Sequence, residues 1–405
     1  MRTPDLDLVS GAPFWPLAAG LLGVYPPLRA DEKCDVAVIG AGITGALVAH
    51  TLTEAGLDVV VVDRRDVAQG STAASTALLS WELDTELADL SNMIGLDGAV
   101  RAYRRSLEAI VSIERLTTLM HDRCGFSRRP SLYLATRKRD VARLQREAEL
   151  RATQGLPSEF WSARRLAASS CFQAPGAIRS EGGGEIDPYR FTHALLALAR
   201  SRGARIFDRT EIVEERASRR GVKLVSQRGP VIRAERAVMA LGYEIPRPLR
   251  RDLVSLSSTY VLITEPMEPC AGWEDRCLVW DSARPYTYLR WSADGRVLIG
   301  GEDEPFRSPA RRDRLLPRKV KRLVRRLGNL LPNLSPEPAF AWTGTFGETK
   351  DGLPFVGEWA GAPGRIFALG YGGNGITFGV IAAEIVRDLC LGRPSRDAAL
   401  YRLDR

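Results

Sequence analysis

A chain of 405 residues, 45% hydrophobic and 26% charged, is long enough for two domains with full cores and too ordinary in composition to be disordered by default. Its net charge of +8 is expected to be a solvated basic surface first, and attraction to nucleic acid or anionic lipid is the alternative. The six cysteines, Cys34, Cys124, Cys171, Cys270, Cys277 and Cys390, form no CxxC and no metal-spaced cluster with the three histidines. That argues against a disulfide framework or a metal site, and a reduced, cytoplasmic setting is the expectation.

Residues 1–32 read as an N-terminal arm. Its apolar stretch from Ala12 to Leu28 is interrupted by Pro13, Pro16, Pro26 and Pro27, lacks a basic leader, and is too short and broken to span a bilayer. Packing on the body of the protein is expected instead. From Cys34 to Asp63 the pattern is strand (Val36 to Ile39), tight turn (Gly40-Ala41-Gly42-Ile43-Thr44-Gly45), helix through Ala55, a stop at Gly56 and a second strand, Val59 to Val62. Gly40 permits the turn, Gly42 lets backbone approach a pyrophosphate, and Gly45 lets the helix pack on the strand. The helix opened by Ile43 and Thr44 offers unpaired N–H groups to the anion, and Asp63 ends the second strand where a carboxylate can accept from a ribose. This is a dinucleotide site, with NAD and FAD equally compatible.

Small residues follow, Ser71-Thr72-Ala73-Ala74-Ser75-Thr76, suited to capping a helix or to letting a bulky cofactor lie against its first turn. Leu87 to Cys124 and Arg139 to Ala152 read as helices, and Gly182-Gly183-Gly184 as a hinge or loop. Asp187-Pro188 is an N-cap and first-turn proline for a helix to about Arg202. Short strands then run from Ala204 to Ala240, turning at Arg228-Gly229-Pro230, and end at Gly242. From Ser257 the chain is again strands: Tyr260 to Thr264, then Tyr286 to Trp291 paired with Val297 to Gly301 across Ala293-Asp294-Gly295. In Arg311 to Arg326, Leu316, Val320, Leu323, Val324 and Leu327 recur at helical spacing among basic residues, which fits a helix on the protein's own core and also one resting on a membrane.

A second glycine cluster, Gly370-Tyr371-Gly372-Gly373-Asn374-Gly375-Ile376, enters a helix that stops at Gly392. Backbone N–H groups and a positive helix end converge there. With a phosphate site already supplied, a flavin fits this turn, because its N1 and C2 carbonyl region becomes anionic on reduction.

The first cluster, the Gly70-to-Ser75 run, Gly242, the segment Thr349-Lys350-Asp351-Gly352-Leu353-Pro354-Phe355-Val356-Gly357 and the second glycine cluster together resemble the D-amino acid oxidase superfamily of FAD-dependent oxidoreductases, over roughly Lys33 to Gly392. The group includes glycine oxidase, sarcosine oxidase and D-amino acid dehydrogenase. The resemblance implies an α/β plus α+β fold. A Rossmann-like FAD-binding domain would take 33–86, 185–250 and 338–405, and a discontinuous substrate domain on an antiparallel sheet would take 87–184 and 251–337. It implies extended FAD with Gly40, Gly42, Ile43, Thr44 and Gly45 at the pyrophosphate, Asp63 at the ribose, and Arg64 and Ile212 near the adenine. Ser71 and Thr72 would lie along the phosphates and ribityl chain, Gly242 near the pyrophosphate, and Gly372, Gly373, Asn374, Gly375 and Ile376 around the flavin.

This chain departs from the family pattern in three places. Gly344 stands where sarcosine-oxidase-like members carry a flavin-linking cysteine, and Ala73 where others carry a histidine, so non-covalent FAD is expected. Phe346 replaces the arginine with which glycine-oxidase-like members grip a carboxylate. The implied chemistry is hydride transfer from the carbon beside a neutral amine to flavin N5, giving an imine that water hydrolyses. It needs no dedicated acid or base, and none is singled out.

Alternation places Tyr286, Tyr288 and Arg290 on one strand face as the substrate wall, with Trp342 and Phe346 over the ring. The expected partners are a small amine or amino acid and an electron acceptor, O2 or another; nucleic acid is not expected, and a membrane surface is the other partner the basic helix suits. The competing readings are a tRNA-modifying flavoenzyme and a membrane-docked dehydrogenase passing electrons to quinone.

Overall fold

The computed structural model describes residues 7–218, 221–244, 249, 253–268 and 270–405. The domain boundary expected between 250 and 251 lies outside them. Two sheets organise the chain. The first is built on Glu32–Ile39, buried on both faces as parallel pairing demands, with Val36 and Val38 in one apolar cluster and Ala37 in another. Val59–Val62 and Val231–Met239 flank it in parallel, with Val36 opposite Val59 and Val38 opposite Val238. The order runs Phe355–Glu358, Arg365–Leu369, Val231–Met239, Glu32–Ile39, Val59–Val62, Arg205–Phe207; Ile212–Ser218 and Gly221–Ser226 extend Val231–Met239 as an antiparallel flap. Helices Ile43–Glu54, Pro188–Ser201 and Gly375–Cys390 pack beside one another in the largest apolar core. Asp187 caps the second of them, accepting from the Tyr189 and Arg190 N–H groups.

The second sheet has ten strands, antiparallel except where Leu278–Asp281 runs parallel to Ser127–Leu134. Pro338–Glu348, Leu78–Leu79 and Val9–Gly11 belong to it, which joins parts of the expected FAD-binding half and of the arm to the substrate-side sheet. The chain thus passes between the two sheets several times. In the arm, Phe14, Trp15, Tyr25 and Leu28 are buried while Leu17, Leu21 and Val24 are exposed.

Two local expectations are corrected. Gly182 to Gly184 form no loop but sit inside Gly176–Glu185, because a Cβ at Gly183 would come within 2.8 Å of the Arg129 carbonyl across the sheet. The helix expected from Leu87 to Cys124 is two, Leu87–Ile94 and Leu96–Thr118, broken at Gly95 with φ of 82°.

The basic segment is the helix Pro309–Leu330. Leu323 and Leu327 are buried in an apolar cluster with Leu262, Ile299 and Leu289, so its apolar stripe covers the protein's own sheet. Lys319 pairs with Glu304 at 2.9 Å, Arg322 with Glu302 at 2.9 Å and Arg326 with Asp281 at 2.5 Å. Arg311, Arg314, Arg318, Lys321 and Arg325 remain exposed. Among the described residues no helix is long and apolar enough to cross a membrane.

Candidate active site

One elongated cavity runs from the ends of the parallel strands to the face of the second sheet. Gly40 begins it with φ of +110°, packed so closely that a Cβ would lie 2.2 Å from the Ala240 carbonyl. A Cβ on Gly45 would lie 1.8 Å from the Gly40 carbonyl; this glycine serves helix packing and, unlike Gly40 and Gly42, does not line the cavity. At Gly42 only the Thr72 hydroxyl, at 3.0 Å, would meet a Cβ, so the backbone stays open to a ligand. The Ile43 N–H donates to Thr72 Oγ1 at 2.9 Å, which ties the two helix starts together. Ser71 Oγ is buried in the cavity wall with no protein partner.

Asp63 Oδ2 accepts from the Ala41 N–H at 2.7 Å and Oδ1 from the Arg65 N–H at 2.8 Å. Burial pushes its pKa up while these two bonds oppose the shift. A carboxylate offers about four acceptor sites, so capacity remains for ribose hydroxyls. Arg64 and Arg65 both pair with Glu244, a residue whose role two positions after Gly242 was not foreseen. Ile212 and Gly242 line the same end.

Gly372, Gly373, Asn374, Gly375 and Ile376 line the other end, yet two of their N–H groups are already used. Gly372 donates to the Gly347 carbonyl at 3.0 Å and Gly373 to Asp84 Oδ2 at 2.9 Å. The Asn374 amide holds the Ser80 and Glu82 carbonyls at 3.0 Å, fixing the loop that carries Asp84. What this turn offers a flavin is therefore the first-turn N–H groups of Gly375–Cys390, which lack intrahelical partners.

Of the expected substrate wall, Tyr286, Tyr288 and Phe346 line the cavity. The tyrosine rings lie 5.7 Å apart; Tyr286 donates to Asp84 Oδ1 at 3.4 Å, and the Tyr288 and Thr259 hydroxyls are 3.2 Å apart. Arg290 does not join them. It is buried, donating to Glu185 at 2.9 Å, the Thr76 carbonyl at 2.8 Å and the Ile186 carbonyl at 3.2 Å, and lies over the Trp15 ring. Alternation fixed its face but not which end of the strand the cavity reaches. Trp342 is also behind the wall, its indole donating to the Ala74 carbonyl at 2.9 Å. Asp84 and Asp303, both lining the cavity, were missed because the fold alone brings the loop of Asp84 to the strand Val297–Pro305 that carries Asp303.

These features fit an extended dinucleotide: glycine cradle, acid, orphaned serine hydroxyl and second helix terminus lie along one channel. Parallel strands with such a cradle, opening onto a tyrosine-lined pouch, define a dinucleotide-binding oxidoreductase. The chain belongs to the DAO family of FAD-dependent oxidoreductases, whose sequence profile matches residues 35–389. It is 25% identical over 371 residues to glycine oxidase of Geobacillus kaustophilus (strain HTA426), covering 88% of this chain and 93% of that enzyme. It is likewise 25% identical over 405 residues to gamma-glutamylputrescine oxidoreductase of Escherichia coli (strain K12), covering 96% and 91%. The crystal structure of the Geobacillus kaustophilus glycine oxidase superposes with a TM-score of 0.78 at 22% identity, over 92% of this chain and 99% of that one. L-Proline dehydrogenase from P. horikoshii superposes with a TM-score of 0.73 at 19% identity, over 92% and 97%. Both share the fold.

Proposed function

We propose that this FAD-dependent oxidoreductase oxidises the C–N bond of an amine or amino acid, with FAD held non-covalently. The observation that carries the reading is the continuity of one cavity from the glycine cradle and Asp63 to the pouch of Tyr286, Tyr288 and Phe346. When bound, FAD supplies the two-electron acceptor for a hydride leaving the carbon beside the nitrogen. The chain's residues do the rest. The backbone at Gly42 and the start of Ile43–Glu54 binds the pyrophosphate, Asp63 the ribose, Ser71 and Thr72 the linking chain, and the N–H groups opening Gly375–Cys390 the flavin edge. Phe346 and the two tyrosines exclude water and hold the C–H bond in line. Gly344 lines the cavity and Ala73 is buried nearby, and neither carries an atom that can bond the flavin.

The test is the visible flavin band of the purified protein, recorded anaerobically before and after pools of secondary amines, polyamines and D- and L-amino acids. Bleaching by one pool is expected. A band that stays oxidised through every pool overturns the reaction class. Denaturation should release all the flavin, and flavin remaining on precipitated protein overturns non-covalent binding.

A further inference from the structure

An α-amino acid carries a carboxylate beside the carbon that reacts, and the planar fork of an arginine is its best partner. The far end of this cavity is built the other way. Phe346 lines it, and Arg290 is buried against Glu185 with its donors used. Two other guanidinium groups border the pouch. Arg151 is held through Nε by Glu147 at 2.7 Å and lies over the rings of Tyr103 and Trp81, its Nη1 buried without a partner. Arg284 is exposed at the rim, over Tyr286.

Four carboxylates face the same space: Glu82, Asp84, Glu86 and Asp303. Glu86 is satisfied by Arg143 and by Tyr133, and Glu82 accepts from Ser131 at 2.6 Å and Ser80 at 2.7 Å. Asp84 and Asp303 have no ion-pair partner among the described residues. Among the described residues Asp84 accepts from the Gly373 N–H and the Tyr286 hydroxyl, and Asp303 Oδ1 is buried without a hydrogen-bond partner.

A break in the sheet aims Asp303 inward. Ser258 pairs with Glu304 and Tyr260 with Gly301, so Glu302 and Asp303 together oppose Thr259. Glu302 takes a φ of +59° and turns to Lys319 and Arg322 on the outer helix, while Asp303 lines the cavity. Burial pushes the Asp303 carboxyl up to about 7; the Thr259 hydroxyl beside it and the more distant Lys319 ammonium oppose the shift, and Glu348 and Asp84 add to it. Tyr286, whose hydroxyl donates to Asp84, lines the same pouch as Asp303, and burial, then the charges of Asp84 and Asp303, raises that hydroxyl well above its ordinary range. The Asp303 carboxylate is costly to ionise there without a cation, and a ligand cation removes that cost.

We propose that Asp84 and Asp303, together with the Tyr286 hydroxyl, recognise a second, protonated nitrogen of the substrate, so that the enzyme takes an aliphatic diamine rather than an α-amino acid. This deepens, and rests on, the oxidoreductase reading above. The reacting nitrogen must be neutral to release a hydride from its carbon, whereas the distal ammonium keeps its proton and meets the two carboxylates.

The holoenzyme is titrated anaerobically with 1,4-diaminobutane, 1-aminobutane, glycine, sarcosine and D-alanine, following the flavin band, with FAD content as the control for folding. The diamine is expected to perturb or bleach the flavin at a concentration about tenfold or more below that for the monoamine. In Asp303→Asn and, separately, Asp84→Asn, that preference should fall about tenfold. Two outcomes in protein that holds FAD overturn the proposal and leave the family reading intact: reduction by the amino acids with no response to the diamine, or no preference for diamine over monoamine in the unaltered enzyme. Protein that neither carries nor takes up FAD overturns the oxidoreductase reading itself.

Discussion

Gly42 and Gly45 stand in the same turn yet restrict the chain for different reasons. A methyl group on Gly45 collides with a backbone carbonyl that cannot yield, whereas one on Gly42 meets only a threonine hydroxyl and points where a pyrophosphate must come. Gly45→Ala should therefore cost about 3 kcal/mol in urea unfolding of the cofactor-free protein. Gly42→Ala should cost about 1 kcal/mol, the loss of a good N-cap, but should be purified nearly colourless. Equal flavin content in the two variants would contradict this division. Arg290 makes the same kind of distinction between holding the fold and holding a ligand. Its pair with Glu185 is buried on both sides, but Arg129 holds the same carboxylate at 2.9 Å, so Arg290→Met should lower stability by about 1.5–3 kcal/mol, the loss of a charged hydrogen bond, rather than by stranding the carboxylate. A variant that unfolds like the parent but binds substrate poorly would restore the substrate-wall role that its strand position suggests.

Elements whose signals are local could be read from the sequence. The strand–turn–helix around Gly40 and the Asp187-capped helix are spelled out by neighbouring residues, and both form where expected. What failed depended on partners far along the chain: Gly182 to Gly184 became strand because another strand's carbonyls lie against them, and Asp303 reached the cavity through a bulge that no residue type announces. The basic helix is intermediate, since its apolar stripe was legible but its docking surface was not. Leu323 is fully buried against the sheet, so Leu323→Ala should cost about 2–5 kcal/mol, measured by urea unfolding. A cost near zero would mean that the stripe serves some other surface. The C-terminus is anchored differently, by Arg405 donating to Asp351 at 2.7 and 3.1 Å. Burial works against the Asp351 carboxylate, but Arg405 wins and holds its pKa below the ordinary range. The stabilisation is thus fully present above about pH 5 and lost as pH falls through the lowered folded value, so an Arg405→Ala variant should be less stable than the parent at pH 7 and converge on it once the pH lies below that value. A difference that persists unchanged at low pH would exclude the ion pair as its source.

At the scale of the whole molecule, the cavity lies at the seam between the two sheets, and the seam is crossed by chain in several places. Leu78–Leu79 leaves the nucleotide-binding half to pair with Gly176–Glu185, and Pro338–Glu348 enters the second sheet just before Phe355–Glu358 enters the first. Neither sheet can be removed from water without the other, so the halves should unfold as one cooperative unit. A ligand at the seam stabilises both at once. With FAD at a hundred times its dissociation constant, linkage gives about 2.7 kcal/mol, and for a chain of this length that corresponds to a rise of about 3 °C in the unfolding midpoint. Calorimetry of the cofactor-free protein with added FAD should show a single transition moving as a whole by that amount. If FAD shifted one of two separate transitions and left the other in place, the cofactor would be held by one half alone. The glycine cradle and Asp63 would then suffice for binding, and the contacts to Phe346 and to the start of Gly375–Cys390 would serve the substrate rather than the flavin.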